Sequence, residues 1–534
     1  MLPVLALAFL AGNASAQTYS LRDVGQVSFA NSGAPDAQPA FLHGLALLHD
    51  FEYASAAADF REAEKIDPNF AMAYWGEAMT HNHAVWMEQD KPAALAALAK
   101  LGPTPEARLA KAPTEREKDY LRAVDVLYGP GSKEDRDFKY ADATAALHQQ
   151  YPDDVDAAAF YALALLGTSH NGRDVRIYMR AAAVLEPLFY SHPHHPGVAH
   201  YLIHAFDDPI HAPLGLDAAR AYSGIAPDAA HAQHMTSHIF LALGMWDRVV
   251  HANEIAVSVV NRHAEAAGGR HAVCGHYPFW LEYGYLEQGR AAEARRSLAA
   301  CRDQAAPTGT AGAAATTIDP DNSIVGSYVA MWTRYVLDTQ DWRGDALEWT
   351  VETSGAPMPH FGVQFTRGFA AVERGDLDTA RDALKELHAL AAPIGRLFDT
   401  RHVSADAWDR KVPLIETLQL EGMIRIADGQ KDDGLALLRK AAAMEDAMPF
   451  AFGPPAVDKP SYELLGEALL DMKRPAEARA AFESALLRAP RRTQSLLGLV
   501  RSERAAGDPA AARHTAAELK QIWHAAETLP ADLR

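Results

Sequence analysis

Histidine is the side chain best equipped to do chemistry in this sequence, and its distribution is uneven. The chain has 24 histidines, and 17 of them fall between His81 and His276. Two pairs, His200/His204 and His234/His238, have H-x-x-x-H spacing. Residues four apart on a helix share one face, with Cβ atoms about 5–6 Å apart. Each pair could therefore grip one ion, as paired histidines do in helical zinc sites. His234 lies 34 residues after His200, and His238 lies 34 after His204, so the pairs occupy equivalent positions of a 34-residue unit. Neighbouring helices pack about 8–10 Å apart, close enough for four imidazoles to meet at one ion or at a close pair of ions. Asp207 and Asp208 follow at once and could serve as carboxylate ligand, as support for an imidazole or as general base. An all-imidazole set suits zinc, copper, iron or nickel. The plainer possibility is that these histidines are surface or part-buried residues without a ligand role.

Composition narrows the classes around that set. The chain has 534 residues, 49% of them apolar and 22% charged, which describes a folded chain and not a disordered one. Its formal net charge is −19, which argues against nucleic acid and anionic membrane surfaces as partners. Two cysteines are too few for a disulfide scaffold or a Cys-rich zinc module. The sequence has no phosphate-binding Walker loop, no credible dinucleotide fingerprint, no G-x-S-x-G elbow and no H-E-x-x-H. Any catalysis would have to be metal-based, and the sequence leaves open whether the chain is an enzyme. No later stretch is long and apolar enough to span a membrane. Residues 2–10 form an apolar run, and Ala14-Ser15-Ala16 precedes Gln17 as a small-residue cleavage site. Residues 1–16 are therefore expected to be a signal peptide and the chain to be periplasmic or secreted, although the usual basic start is missing. The alternative for this segment is an N-terminal core helix.

The elements that must position the histidines come from an internal repeat. Counting residue 37 as the first of a 34-residue unit, Gly44, Ala56, Phe60, Ala63 and Pro68 fall at offsets 8, 20, 24, 27 and 32. Counting from residue 459, Gly466, Ala478, Phe482, Ala485 and Pro490 fall at the same offsets, with Tyr462, Leu465 and Leu469 at 4, 7 and 11. Small residues let two antiparallel helices approach, large apolar ones fill between them, and the proline ends the second helix. The pattern resembles the tetratricopeptide repeat (TPR), with weaker copies at 196–229, 230–263, 361–394, 415–448 and 493–526 and one starting near Gly275. Helical hairpins are also readable at 155–191 and 326–354. The resemblance implies an all-α, TPR-type helical-hairpin solenoid of ten to twelve hairpins. We expect an N-terminal array over 17–304 with a His-rich groove, a loop at 305–320 and a C-terminal array over 321–534. Residues 264–274 read as an insertion, a possible lid.

In TPR proteins the first helix of each repeat lines a concave groove, and offsets 2, 5, 9, 12 and 13 point into it. Carried onto this chain, that rule puts His200, His204, Asp207 and Asp208 in the groove from one repeat. It adds His231, His234 and His238 from the next, and His276 from the third. These six histidines are the candidate metal ligands, for a divalent zinc, copper or iron ion. The resemblance also puts Cys274 before the first helix of a hairpin and Cys301 near the end of its second, where the two ends adjoin. A disulfide is expected there, with two inert buried thiols as the alternative. The boxes around His195–Pro209 and His231–Phe240 look like those of a group of bacterial exported TPR proteins to which no activity is attached. The competing reading is a metal-free interaction module of the cell envelope. Its groove would take a partner protein or peptide, with Trp75, Phe279, Tyr283 and Tyr328 as apolar anchors.

Overall fold

In the computed structural model, residues 22–307, 318–401 and 407–533 are described. The expected signal peptide and most of the expected 305–320 loop lie outside the described residues. What precedes that loop stays helical through Ala305.

The chain folds as successive antiparallel helix pairs. They run from Gln38–His49 and Tyr53–Ile66 at one end to Thr493–Ala505 and Pro509–Ile522 at the other. Among the described residues the only strand pairing is a two-residue ribbon, Asn82–His83 against Glu88–Gln89. No helix among them is long and apolar enough to cross a membrane. The repeat pattern acts through one packing device, used at both ends. The Phe482 ring lies between Gly466 of its own hairpin and Gly498 of the next, where added Cβ atoms would sit 2.8 and 2.2 Å from it. The Phe60 ring lies in the same way between Gly44 and Gly76, at 3.3 and 2.4 Å. Any side chain at Gly76 or Gly498 would push the helices apart, so the glycines set the helix spacing.

Two stretches depart from the regular pattern. The expected hairpin at 326–354 is a single helix, Ile324–Thr339, followed by a 3-10 turn at Asp345–Glu348. The indole of Trp332 donates to the Ala346 carbonyl at 2.8 Å, and the Tyr328 hydroxyl donates to the Trp349 carbonyl. Those bonds occupy carbonyls that a second helix would need. The insertion at 264–274 is partly helical, since Trp246–Ala266 runs into it. Its remainder is tied down by a Cys274–Cys301 disulfide, with Cα atoms 4.9 Å apart.

The last hairpin packs back against the middle of the array. Leu496, Leu497, Leu519 and Trp523 share a core with residues of the first half of the chain. Trp246 donates its indole N–H to the Arg491 carbonyl at 3.0 Å, and Trp523 donates to the Glu287 carbonyl at 2.9 Å. At the junction Arg492 is fully buried and bonds three carboxylates, Glu287 at 2.7 Å, Asp338 at 2.5 Å and Glu463 at 2.9 Å. A long connection, residues 447–460, crosses the inside of the curve. Its Phe452 ring and Tyr178 flank the Arg173 guanidinium, at 4.7 and 4.2 Å. Arg334 holds the same connection by its Pro455 and Asp458 carbonyls, at 2.9 and 2.7 Å.

Removing one partner of a buried ion cluster strands the others without compensation. Arg492→Met should therefore destabilise the chain by about 3–5 kcal/mol. Arg501→Met, which breaks an exposed pair with Asp532, should cost about 1 kcal/mol or less. Urea melts of both variants check this, and equal midpoints would show that Arg492 does not hold the closure.

Candidate metal centre

Three successive first helices carry the six histidines. Pro196–Phe206 starts with a proline, whose fixed φ suits the first turn, and is capped by the His195 ring, which accepts from Val198 N at 3.4 Å. Four residues apart on its inner face, His200 and His204 bring their Nε2 atoms to 3.1 Å. On Ala230–Ala242, His234 and His238 do the same at 3.0 Å. The third helix, His276–Glu287, begins at its histidine because Gly275 turns the chain with φ +109, a conformation that favours glycine. His276 Nε2 then lies 2.9 Å from His234 Nε2.

The imidazoles form two trios. The ligand atoms of His200, His204 and His231 lie within 4.8 Å of one another, and so do those of His234, His238 and His276. The trios adjoin, with ring centroids 6.2 Å apart for His204 and His238 and again for His231 and His234. Each trio has an aromatic cover. Phe51, held at φ +58, sets its ring 4.3 Å from His200 and 5.5 Å from His231. Trp280 sets its ring 4.6 Å from His234 and 4.4 Å from His238. Behind Trp280 stands Gly453 of the crossing connection, where a Cβ would come within 2.2 Å of the indole.

Hydrogen bonds on the far side of each ring decide which nitrogen is free. His238 Nδ1 donates to Asp207 at 2.6 Å, and His276 Nδ1 donates to Asp321 at 2.5 Å. His234 Nδ1 donates to Asn253 Oδ1 at 2.7 Å, an amide fixed by its own donation to the Val249 carbonyl. In the other trio His200 Nδ1 donates to the His49 carbonyl at 2.6 Å. A neutral imidazole with its proton on Nδ1 turns a lone pair outward on Nε2. In the trio of His234, His238 and His276, the Nε2 of His234 lies within hydrogen-bond distance of the Nε2 atoms of both His238 and His276, and all three face one another. Burial, reinforced by the neighbouring imidazoles, pushes His200, His204, His231 and His234 well below the ordinary histidine value. These four rings are therefore neutral near pH 7. Two further buried nitrogens, His204 Nδ1 and His231 Nε2, have no hydrogen-bond partner. Nitrogen donors so placed could hold a metal ion.

The other candidates fall outside the trios. Asp207 supports His238, but Asp208 does not touch a trio histidine. The helix ends at Phe206, so Asp208 becomes the cap of the next turn, accepting from Ile210 N and His211 N and pairing with Arg173 at 3.2 Å. His83 stacks on Tyr53, and His192 bonds its neighbour Ser191. Trp75, Tyr283 and Tyr328 are not groove anchors. They are fully buried in the core, because helix pairs meeting on both sides leave those positions no free face. Of the four, only Phe279 is partly buried. Several residues of the site carry no repeat signal: Phe51, Asn253, Trp280 and Asp321. His49 was findable. It sits at groove offset 13 of the 37–70 unit, where it bonds Asp156 at 2.9 Å and Tyr201 at 2.9 Å.

With the geometry in hand, the class of the chain follows. Residues 460–492 match the family model of the tetratricopeptide repeat, and the helix pairs around them make the chain an all-α TPR-type helical-hairpin solenoid. No curated protein matches it. Three similar solved structures are the APC/C hetero-tetramer Cut9–Hcn1, the human IFIT1 dimer with m7Gppp-AAAA, and yeast Tom70. Their identities are 11%, 12% and 10%, over 92%, 94% and 91% of this chain and 75%, 92% and 85% of those chains. The TM-scores are 0.32, 0.35 and 0.28.

Carboxylates behind metal-bound imidazoles are worth about 10–100-fold in affinity. Asp207→Asn should therefore weaken copper or zinc binding by about that factor. Asp208→Asn should leave affinity unchanged and lower the melting temperature. Calorimetric titration and thermal melts separate the two, and unchanged affinity in Asp207→Asn would remove its assigned role.

Proposed function

We propose that this chain is an exported TPR-type protein whose buried imidazole cluster binds a transition metal ion, for storage, delivery or metal-dependent chemistry. One observation carries the reading: three Nε2 lone pairs of His234, His238 and His276 converge, and oxygen acceptors hold all three Nδ1 protons on the far side. The donor set is nitrogen only. It favours copper, zinc, nickel or iron over magnesium or calcium, which take oxygen ligands. His276, with 36% of its side chain exposed, supplies an entry side. Export is supported by the apolar run at residues 2–10 and by the Cys274–Cys301 disulfide, a bond that lasts in oxidising compartments. A peptide in the groove beside the histidines is the weaker alternative. The chain's own residues 447–460 cross that face, and three of its four aromatic anchors are buried.

The test is metal content. Untagged mature chain should carry bound copper, zinc or iron by plasma mass spectrometry, and the double variant His234→Ala, His238→Ala should lose it. A ligand at 1,000 times its Kd stabilises the native state by about 4 kcal/mol, so chelation should lower the melting temperature of the wild type and not of the variant. Wild-type chain that stays metal-free after reconstitution would overturn the reading.

A further inference from the structure

The six imidazoles divide three and three, and the division has a chemical meaning. We infer that the cluster is a paired-metal centre: two adjacent tri-imidazole sites of unequal strength that hold two copper-type ions and share a small bridging anion such as hydroxide between them. This rests on the metal reading above and goes further by fixing the number of ions, their order of filling and the ligand between them.

Three observations carry it. Each trio is a closed set, its ligand atoms within 4.8 Å of one another. Three imidazoles leave a copper or zinc ion with a coordination position to fill. The trios also border each other, through His204 and His238 and through His231 and His234. Two-metal sites hold their ions about 3.5–4 Å apart, so neighbouring open positions can be filled by one bridging oxygen ligand. Phe51 and Trp280 lie against the trios, which leaves the shared border as the polar place for that ligand.

The inequality comes from the far sides of the rings. Carboxylates back two ligands of the His276 trio, Asp207 behind His238 and Asp321 behind His276. Such backing makes an imidazole a stronger donor, and two nearby negative charges offset those of a dication. Among the described residues the His200 trio has no carboxylate of this kind. A backbone carbonyl holds His200, while His204 Nδ1 has no partner. The His276 trio therefore fills first and holds its ion more tightly, and the His200 trio fills second and exchanges more readily.

Copper(II) is the probe, because imidazole sites hold it hardest among the divalent ions and because two bridged copper(II) ions cancel each other's paramagnetism. Apo wild-type chain is titrated with copper(II) against a competing chelator, with copper counted by plasma mass spectrometry and unpaired spins by electron paramagnetic resonance. Two equivalents should bind, the first about tenfold or more tighter, and the spin count should fall as the second enters, with azide then giving a new charge-transfer band. A copper(I)-specific chelator excludes reduction as the cause of the loss. His231→Gln should keep the tight equivalent alone, and His276→Gln should lose the tight step. Circular dichroism confirms that both variants fold. A single wild-type equivalent would overturn the pair while leaving metal binding intact. Two equivalents with full spin count would overturn the bridge. No copper at all would overturn both this inference and the reading beneath it.

Discussion

How closely one helix can approach the next governs everything else in this protein. Phe60 and Phe482 reach across hairpins only because Gly44, Gly76, Gly466 and Gly498 carry no side chain to stop them. The same economy operates around the histidines. Gly197 leaves room for the His49 ring, and Gly215 leaves room for Ile239, each where a Cβ would collide. The spacing makes a period of 34 residues in sequence into a lateral step of one helix pair. His200 and His234, or His204 and His238, become neighbours by that step. A larger residue at these points would separate the helices, and the imidazoles would no longer reach one another.

A cluster of neutral imidazoles is costly to bury unless each nitrogen has a task. Asp207, Asp321, Asn253 and the His49 carbonyl supply the tasks on one side of the rings. On the other side the nitrogens face one another, in groups that could hold a metal ion. The charged residues elsewhere follow the same rule. Arg492 gathers Glu287, Asp338 and Glu463 where the last hairpin meets the middle of the array. Arg173 joins the end of the His204 helix to Phe452 of the crossing connection. Closure of the array and covering of the histidines are thus parts of one network, and Glu287 and Trp280 lie on the same helix.

Much of this was legible in the sequence, and the parts that were not share a cause. Repetition carried the fold, because Gly, Ala and Phe at fixed offsets report the contact between helices. It also carried the six histidines, which recur at equivalent offsets. His49 obeyed the same rule but lacked a partner four residues away, so spacing alone did not single it out. Asn253 lies on a second helix, Asp321 in a connection and Phe51 in a turn, and none of these repeats. The segment after Thr339 reads as a helix by periodicity but is held open by Trp332 and Tyr328, a tertiary effect. Trp75, Tyr283 and Tyr328 look like groove anchors by offset, but each is buried. Closure brings Arg492 onto Tyr283, whereas Trp75 packs among Phe29, Tyr120 and Phe160 and Tyr328 bonds the Trp349 carbonyl of the segment that follows its own helix.

The crossing connection at 447–460 also puts the site under a condition of timing. The helices bearing the histidines are complete by Glu287, but Gly453 reaches Trp280 only after the second half of the chain exists. A growing chain, or one threading through a pore from its N-terminus, therefore shows its imidazoles before it can cover them. The connection at 447–460 is therefore the last piece to close over the Trp280 side of the cluster.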